Sequence, residues 1–234
     1  MLKITLFKLN FSIPIFILTV LLAPSRAVSQ DDGLGGWHIY FGNIAVPDSR
    51  FSIDAEAQWR NHEFASDLQQ LLLRGGVKYQ ATESLSLVMG YGFIQTENVG
   101  EPDLPFRENR IYQEANLVQK TWRLNFRHRF RYEQRFVEGR DFNTRYRYCL
   151  SLDIPLNNAE LESRTVYASF YNEIFIHGQK TADSRAVFDR NRIYLGAGYR
   201  FTKSLALQAG WMNQVLENSA KAQVVLSVHH KMSF

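Results

Sequence analysis

The sequence predicts an all-β fold, an antiparallel transmembrane β-barrel of about ten strands with twelve as the alternative, on three observations. Apolar and polar residues alternate with period two along almost the whole chain after residue 48, the mark of strands with one apolar face. The alternating runs are longer than the five or six residues of an ordinary globular strand and long enough to cross a bilayer at a tilt. Short connections alternate with mostly longer polar ones, the asymmetry of outer-membrane barrels.

In chain order, the first element reads as an export signal. Lys3 and Lys8 make a positive n-region, Ile13 to Leu22 an apolar h-region, and Ala27 and Ser29 are the small residues a signal peptidase needs. Cleavage is expected before Gln30, with cleavage after Ala27 as the alternative. The expected organisation is therefore signal peptide 1–29, an N-terminal segment 30–48, and the barrel 49–234. Removing the signal leaves 24 Lys and Arg against 23 Asp and Glu, so the sequence pI near 9.2 belongs mostly to the signal and nucleic acid is not expected as a partner.

Trp37–Val46 alternates only weakly, and it sits awkwardly in the count. Antiparallel closure needs an even number of strands. Ten segments supply that: 49–60, 68–80, 84–96, 107–119, 121–136, 143–156, 163–176, 190–201, 204–216 and 222–234. Trp37–Val46 would then fold inside the barrel, lie at its rim, or pair with an unrecognised twelfth strand. Turns are expected at 82–84, 119–121 and 202–204, and longer outer loops at 61–67, 97–106, 137–142 and 177–189.

The alternation also assigns the faces. In 121–136, Trp122, Leu124, Phe126, Phe130, Tyr132 and Phe136 share the side facing lipid, and Arg123, Arg127, Arg129, Arg131, Glu133 and Arg135 the side facing the lumen. In 49–60 the apolar side is Phe51, Ile53, Ala55, Ala57 and Trp59. Aromatic girdles are expected from Trp122, Tyr79, Tyr199, Phe201 and Phe234 at the turn side and from Trp59 and Phe136 at the loop side. The last strand alternates up to Phe234, which resembles the C-terminal signal read by the barrel-assembly machinery. Outer-membrane lipid and that machinery are the expected partners, of a monomer in the outer membrane.

The lumen-facing positions carry the chemistry: Glu56, Arg60, Glu108, Arg110, Glu114, Arg127, Arg129, Arg131, Glu133, Arg135, Arg145, Arg147, Glu173 and Arg192. Charges taken out of water must pair, and the planar guanidinium fork binds carboxylates bidentately, so a salt-bridged interior is expected. Arg127, Arg129, Arg131, Arg145 and Arg147 on two adjacent strands read as an uncompensated basic wall, so the expected role is structural or that of a narrow anion-favouring channel. The alternative is a lipid-acting hydrolase. His128 interrupts an apolar face but has no serine beside it in sequence; His229 and His230 fall near the periplasmic end of the last strand, the wrong side for an outer-leaflet lipid, and His38, His62 and His177 lie in or next to loops, so no triad geometry is suggested. No catalytic residue, metal ligand set or cofactor is expected. Cys149 reads as a small interior side chain, and Gly90, Gly92, Gly196, Gly198 and Gly210 as strand positions that make room for bulky neighbours.

Several stretches also resemble an uncharacterised family of exported barrel proteins, the domain of unknown function numbered 2490. They are Glu56-Ala-Gln-Trp-Arg60, Glu108-Asn-Arg-Ile-Tyr-Gln113, Arg127 to Phe136, Tyr171-Asn-Glu173, Asn191-Arg-Ile-Tyr-Leu-Gly196 and Gly198-Tyr-Arg200. The resemblance implies a location and a fold but no activity. Its recurring charged positions fall on Glu56, Arg60, Arg110, Arg127, Glu133, Arg135, Glu173 and Arg192.

Overall fold

The computed structural model describes residues 29–30, 33–100, 102, 104–179, 187–217 and 219–233. The signal-peptide reading, apart from the backbone at Ser29, and the terminal Phe234 lie outside the described residues. Eleven long strands close into one barrel, and no described residue is helical. They are β1 (Gly35–Ala45), β2 (Phe51–Asn61), β3 (Leu68–Gln80), β4 (Leu85–Thr96), β5 (Phe106–Thr121), β6 (Leu124–Val137), β7 (Asn143–Pro155), β8 (Thr165–His177), β9 (Phe188–Arg200), β10 (Leu205–Leu216) and β11 (Ser219–Ser233). Each is antiparallel to its neighbour in sequence.

The count corrects the expectation of ten or twelve. Trp37–Val46 lies almost wholly in β1, a full member of the wall, so the barrel begins at Gly35 rather than at residue 49. The parity argument fails because closure is parallel: β1 runs alongside β11 from Gly35↔Gln223 to Ala45↔Ser233. An odd number of strands forces such a pair, since the first and last strands then point the same way. The chain therefore enters β1 at the end of the barrel that carries the longer loops, where Ser29–Gln30 also pairs with Ser219–Ala220. The other end carries the short turns, together with one nine-residue connection, 156–164, between β7 and β8.

Outside and inside follow the alternation. Met89 and Leu195 on the outer face are 63% and 66% exposed, whereas Glu133 on the inner face is 0% exposed. Two shallow grooves on the outer face, of about 800 and 870 Å³, are walled mainly by apolar residues, among them Trp59, Leu71, Tyr199 and Leu207 in one and Val77, Leu87, Tyr132 and Ile176 in the other. Polar side chains on this face satisfy one another: Asn172 donates to Asn191 Oδ1 at 3.0 Å.

Small residues let the wall close around large ones. A Cβ on Gly196 would lie 2.1 Å from Tyr194 Oη, and one on Gly210 2.5 Å from the same atom, so the inward tyrosine ring covers bare backbone. Gly90 and Tyr112 repeat the arrangement. At the loop end a Cβ on Gly36 would sit 1.8 Å from the carbonyl oxygen of Phe64, because the β2–β3 loop folds back onto β1 and its Glu63 carbonyl accepts from Gly36 N–H at 3.1 Å. One sequence assignment moves. Trp122 is not in a strand: it occupies the β5–β6 turn at φ 54° and is 81% exposed, so the turn falls after Thr121 rather than at 119–121.

Candidate functional site: the charged lumen

Strand β6 places Arg127, Arg129, Arg131, Glu133 and Arg135 inward at every second position, and the antiparallel registers set complementary groups beside them. Glu133 pairs across to Arg145, Glu114 to Arg131, and Glu173 to Arg192. Because β-strand side chains reach diagonally as well as straight across, each carboxylate is shared. Glu133 accepts from Arg145 and Arg147 at 2.6 Å each, with Arg131 at 3.7 Å and Arg110 at 4.0 Å. Glu173 accepts from Arg147 at 2.6 Å and Arg129 at 2.7 Å, with Arg192 at 3.9 Å. Glu108 takes Arg110 and Arg135 at 2.6 Å each, and Glu114 takes Arg131 at 2.6 Å. Glu56 faces Arg74 at 3.4 Å.

The basic wall read from β6 and β7 is thus largely neutralised. Arg129, Arg131, Arg145 and Arg147 all hold carboxylates from other strands. Arg127 alone of the five stands loosely, 4.0 Å from Asp153 with its side chain 54% exposed. Arg60 is the other departure: among the described residues it pairs with no carboxylate and bonds to Gln58 and Gln70 instead.

Three features escaped the sequence. Phe175 lies on the inward face in phase with Glu173 and is 1% exposed; the guanidinium carbons of Arg145, Arg147, Arg190 and Arg192 lie 4.4 to 5.8 Å from its ring centre. Each contributes a cation–π attraction of roughly 0.5–2 kcal/mol. Trp37 similarly lies between Arg60 at 3.8 Å and Arg192 at 4.8 Å. Asp189 turns inward through a bulge at Phe188/Arg190 and binds Arg145 and Arg190 at 3.0 Å. The sequence signal for Phe175 was its phase, an aromatic on a face otherwise read as polar.

Toward the turn end the lumen is wetter. Lys78 meets Asp54 at 2.7 Å with both side chains about a quarter exposed, and Ser169 donates to Asp153 at 2.6 Å. Ser227 Oγ lies 3.0 Å from His229 Nε2, a juxtaposition that sequence reading placed at the strand end without its serine. Phe41 stacks on that imidazole at 4.9 Å, and no carboxylate orients it among the described residues, so the pair lacks a triad's third member. His128 lies on the outer face, its Nδ1 2.8 Å from Tyr148 Oη and its Nε2 3.0 Å from Gln119 Oε1. His38, also on the outer face, faces the Phe64 carbonyl at 3.2 Å. Cys149 is free, buried and inward, 3.6 Å from Ser151 Oγ. No metal-holding cluster occurs among the described residues.

Fold and lumen define a closed β-barrel with an apolar outside and an ionic, largely filled inside. The chain belongs to the family described as "Protein of unknown function (DUF2490)", whose profile matches residues 34–225. It is also 30% identical over 169 residues to an uncharacterized protein of Methylorubrum extorquens, covering 71% of this chain and 72% of that one. No solved structure matches it.

Proposed function

We propose that the chain, freed of its signal, spans the outer membrane as a monomeric barrel whose lumen is bolted shut near the loop end, a structural wall element rather than a diffusion pore. The observation that supports this is the inversion of burial: Glu133, a carboxylate, is wholly buried among arginines, while the exposed outer face is apolar. Such a surface suits acyl chains as its solvent, and an ionic interior is stable only when paired as this one is. Any conductance is small and anion-favouring, because Arg127 stands 4.0 Å from Asp153 and half exposed, while Arg60 has no carboxylate among the described residues. Lipid is the partner of the outer face, and the assembly machinery reads the last strand through Phe234.

The test is fractionation with gel mobility, then planar bilayers. The reading expects outer-membrane fractionation, faster migration of the unheated form, and at most a small conductance. A soluble periplasmic protein whose mobility is indifferent to heating overturns the membrane reading, and a large unselective conductance overturns the closed lumen.

A further inference from the structure

Toward the turns, Lys78 of β3, Arg127 of β6, Arg200 of β9 and Lys231 of β11 all face the lumen. Two inward carboxylates stand beside them among the described residues, Asp54 and Asp153, and both are engaged. Asp54 accepts from Lys78 and from Asn43 Nδ2, each at 2.7 Å. Asp153 accepts from Ser169 at 2.6 Å and has Arg127 only at 4.0 Å. Arg200 donates to nothing but the Lys203 carbonyl, at a long 3.4 Å, and the Lys231 ammonium makes no hydrogen bond or ion pair among the described residues. Further out, at the rim, Lys120 is held by Glu160, and Arg123 by the backbone carbonyls of Pro155, Leu156 and Asn158.

These cations come from opposite walls and address one space. β6 and β11 stand on opposite sides of the barrel, yet the field of Arg127 reaches Lys231 across the lumen, together with those of Arg200 and Lys78. The imidazole of His229, one inward step above Lys231, lies in the fields of Arg127, Arg200 and Lys231. Cations gathered in one mouth repel one another, and the shared carboxylates that settle the loop-end half are missing here. Room is present: the Arg127 side chain is 54% exposed, and Val118, opposite it on the inner face of β5, is 49% exposed, so solvent reaches this level. Four cations against two carboxylates leave two positive charges in excess, the complement of a dianion. Guanidinium forks and an ammonium are the groups that recognise phosphate.

We infer that Lys78, Arg127, Arg200 and Lys231 form a site at the turn-end mouth for the phosphate group of one soluble phosphate-bearing anion. Because the cations point into the lumen and not onto the apolar outer face, a solute fits this site better than the headgroup of a surrounding lipid. They face the lumen whether or not a bilayer encloses the barrel, so the site stands apart from the membrane reading.

The probe is radiolabelled inorganic pyrophosphate, dialysed to equilibrium against the mature protein at constant ionic strength, in detergent or in plain buffer as its solubility requires. Pyrophosphate is expected to bind once per chain, and Arg127→Gln and Lys231→Gln, on opposite walls, are each expected to weaken it about tenfold. Lys120→Gln, at the rim, leaves binding unchanged, and glycerol phosphate displaces the label. No binding, binding that neither mouth variant weakens, or an equal loss in Lys120→Gln overturns the site. Phosphatidate dispersed in the same medium and displacing the label at least as well as glycerol phosphate overturns the choice of a solute. Should one mouth variant fail to fold, judged by its β-sheet circular dichroism, the other decides. Gel mobility and conductance play no part in this readout, so failure of the site and failure of the membrane reading are told apart.

Discussion

The two halves of the lumen are built from the same residue types and behave as different materials. Toward the loops, carboxylates are buried and each serves up to four arginines, with Phe175 and Trp37 wedged between the guanidinium planes. Toward the turns, ion pairs are single and partly hydrated, as at Lys78–Asp54 and Arg127–Asp153. Charge count alone therefore does not decide whether a barrel interior is solid. What decides is whether each charge has a second partner that keeps water out.

Removal of the central acceptor has the largest expected effect. Glu133→Ala removes the acceptor that Arg145 and Arg147 share, leaving them only Asp189 and Glu173 in the closed half, and destabilisation of about 3 kcal/mol is expected. It is read as a lower heating midpoint of the fast-migrating form. A loss below 1 kcal/mol sinks the idea that the loop-end network is a cooperative unit. Gly36→Val tests the cover over that half, since its side chain meets the Phe64 carbonyl and must push the β2–β3 loop away. About 1–3 kcal/mol is expected, with new protease cleavage within 62–67. If the loop stays resistant, it does not lean on β1 as described.

Conductance separates the two halves by a second property. Trimming Arg147→Ala together with Arg129→Ala opens the packed half, and current above wild type is expected; Arg127→Ala trims a hydrated group and leaves current unchanged. Equal responses in the two variants would place the constriction elsewhere. The smallest effect belongs to Arg127→Gln on stability: a half-exposed ion is screened by solvent, and below about 1 kcal/mol is expected. A midpoint drop as large as that of Glu133→Ala would make the turn-end half as solid as the other.

Much of this was legible in the sequence because period-two alternation is a local signal, and it assigned the faces of β2 and of β6 from Leu124 onward. The closure was not. Whether β1 joins the wall depends on its pairing with β11, nearly two hundred residues away, and parity could exclude it only by assuming an antiparallel seam. Trp122 was misplaced by one local step, since an apolar residue in phase with a strand is indistinguishable from one at the head of its turn. The charged residues were assigned to the right face, but their partners depend on register and diagonal reach. Hence the wall from Arg127 to Arg147 looked unbalanced along the chain and is largely balanced across it, whereas Arg60, ordinary in sequence, pairs with no carboxylate among the described residues.

The parallel seam has a consequence for how the barrel is made. Every other long ladder joins strands that follow one another in the chain, so hairpins can zip in sequence as soon as their residues are available. The β1–β11 ladder must wait for both ends to meet, which makes it the contact of greatest loop-closure cost and the step that sets the pace. Parallel pairing is also slightly weaker per residue. Were that joint to open, the unzipped β1 and β11 would present the two free edges through which one barrel can trade strands with another.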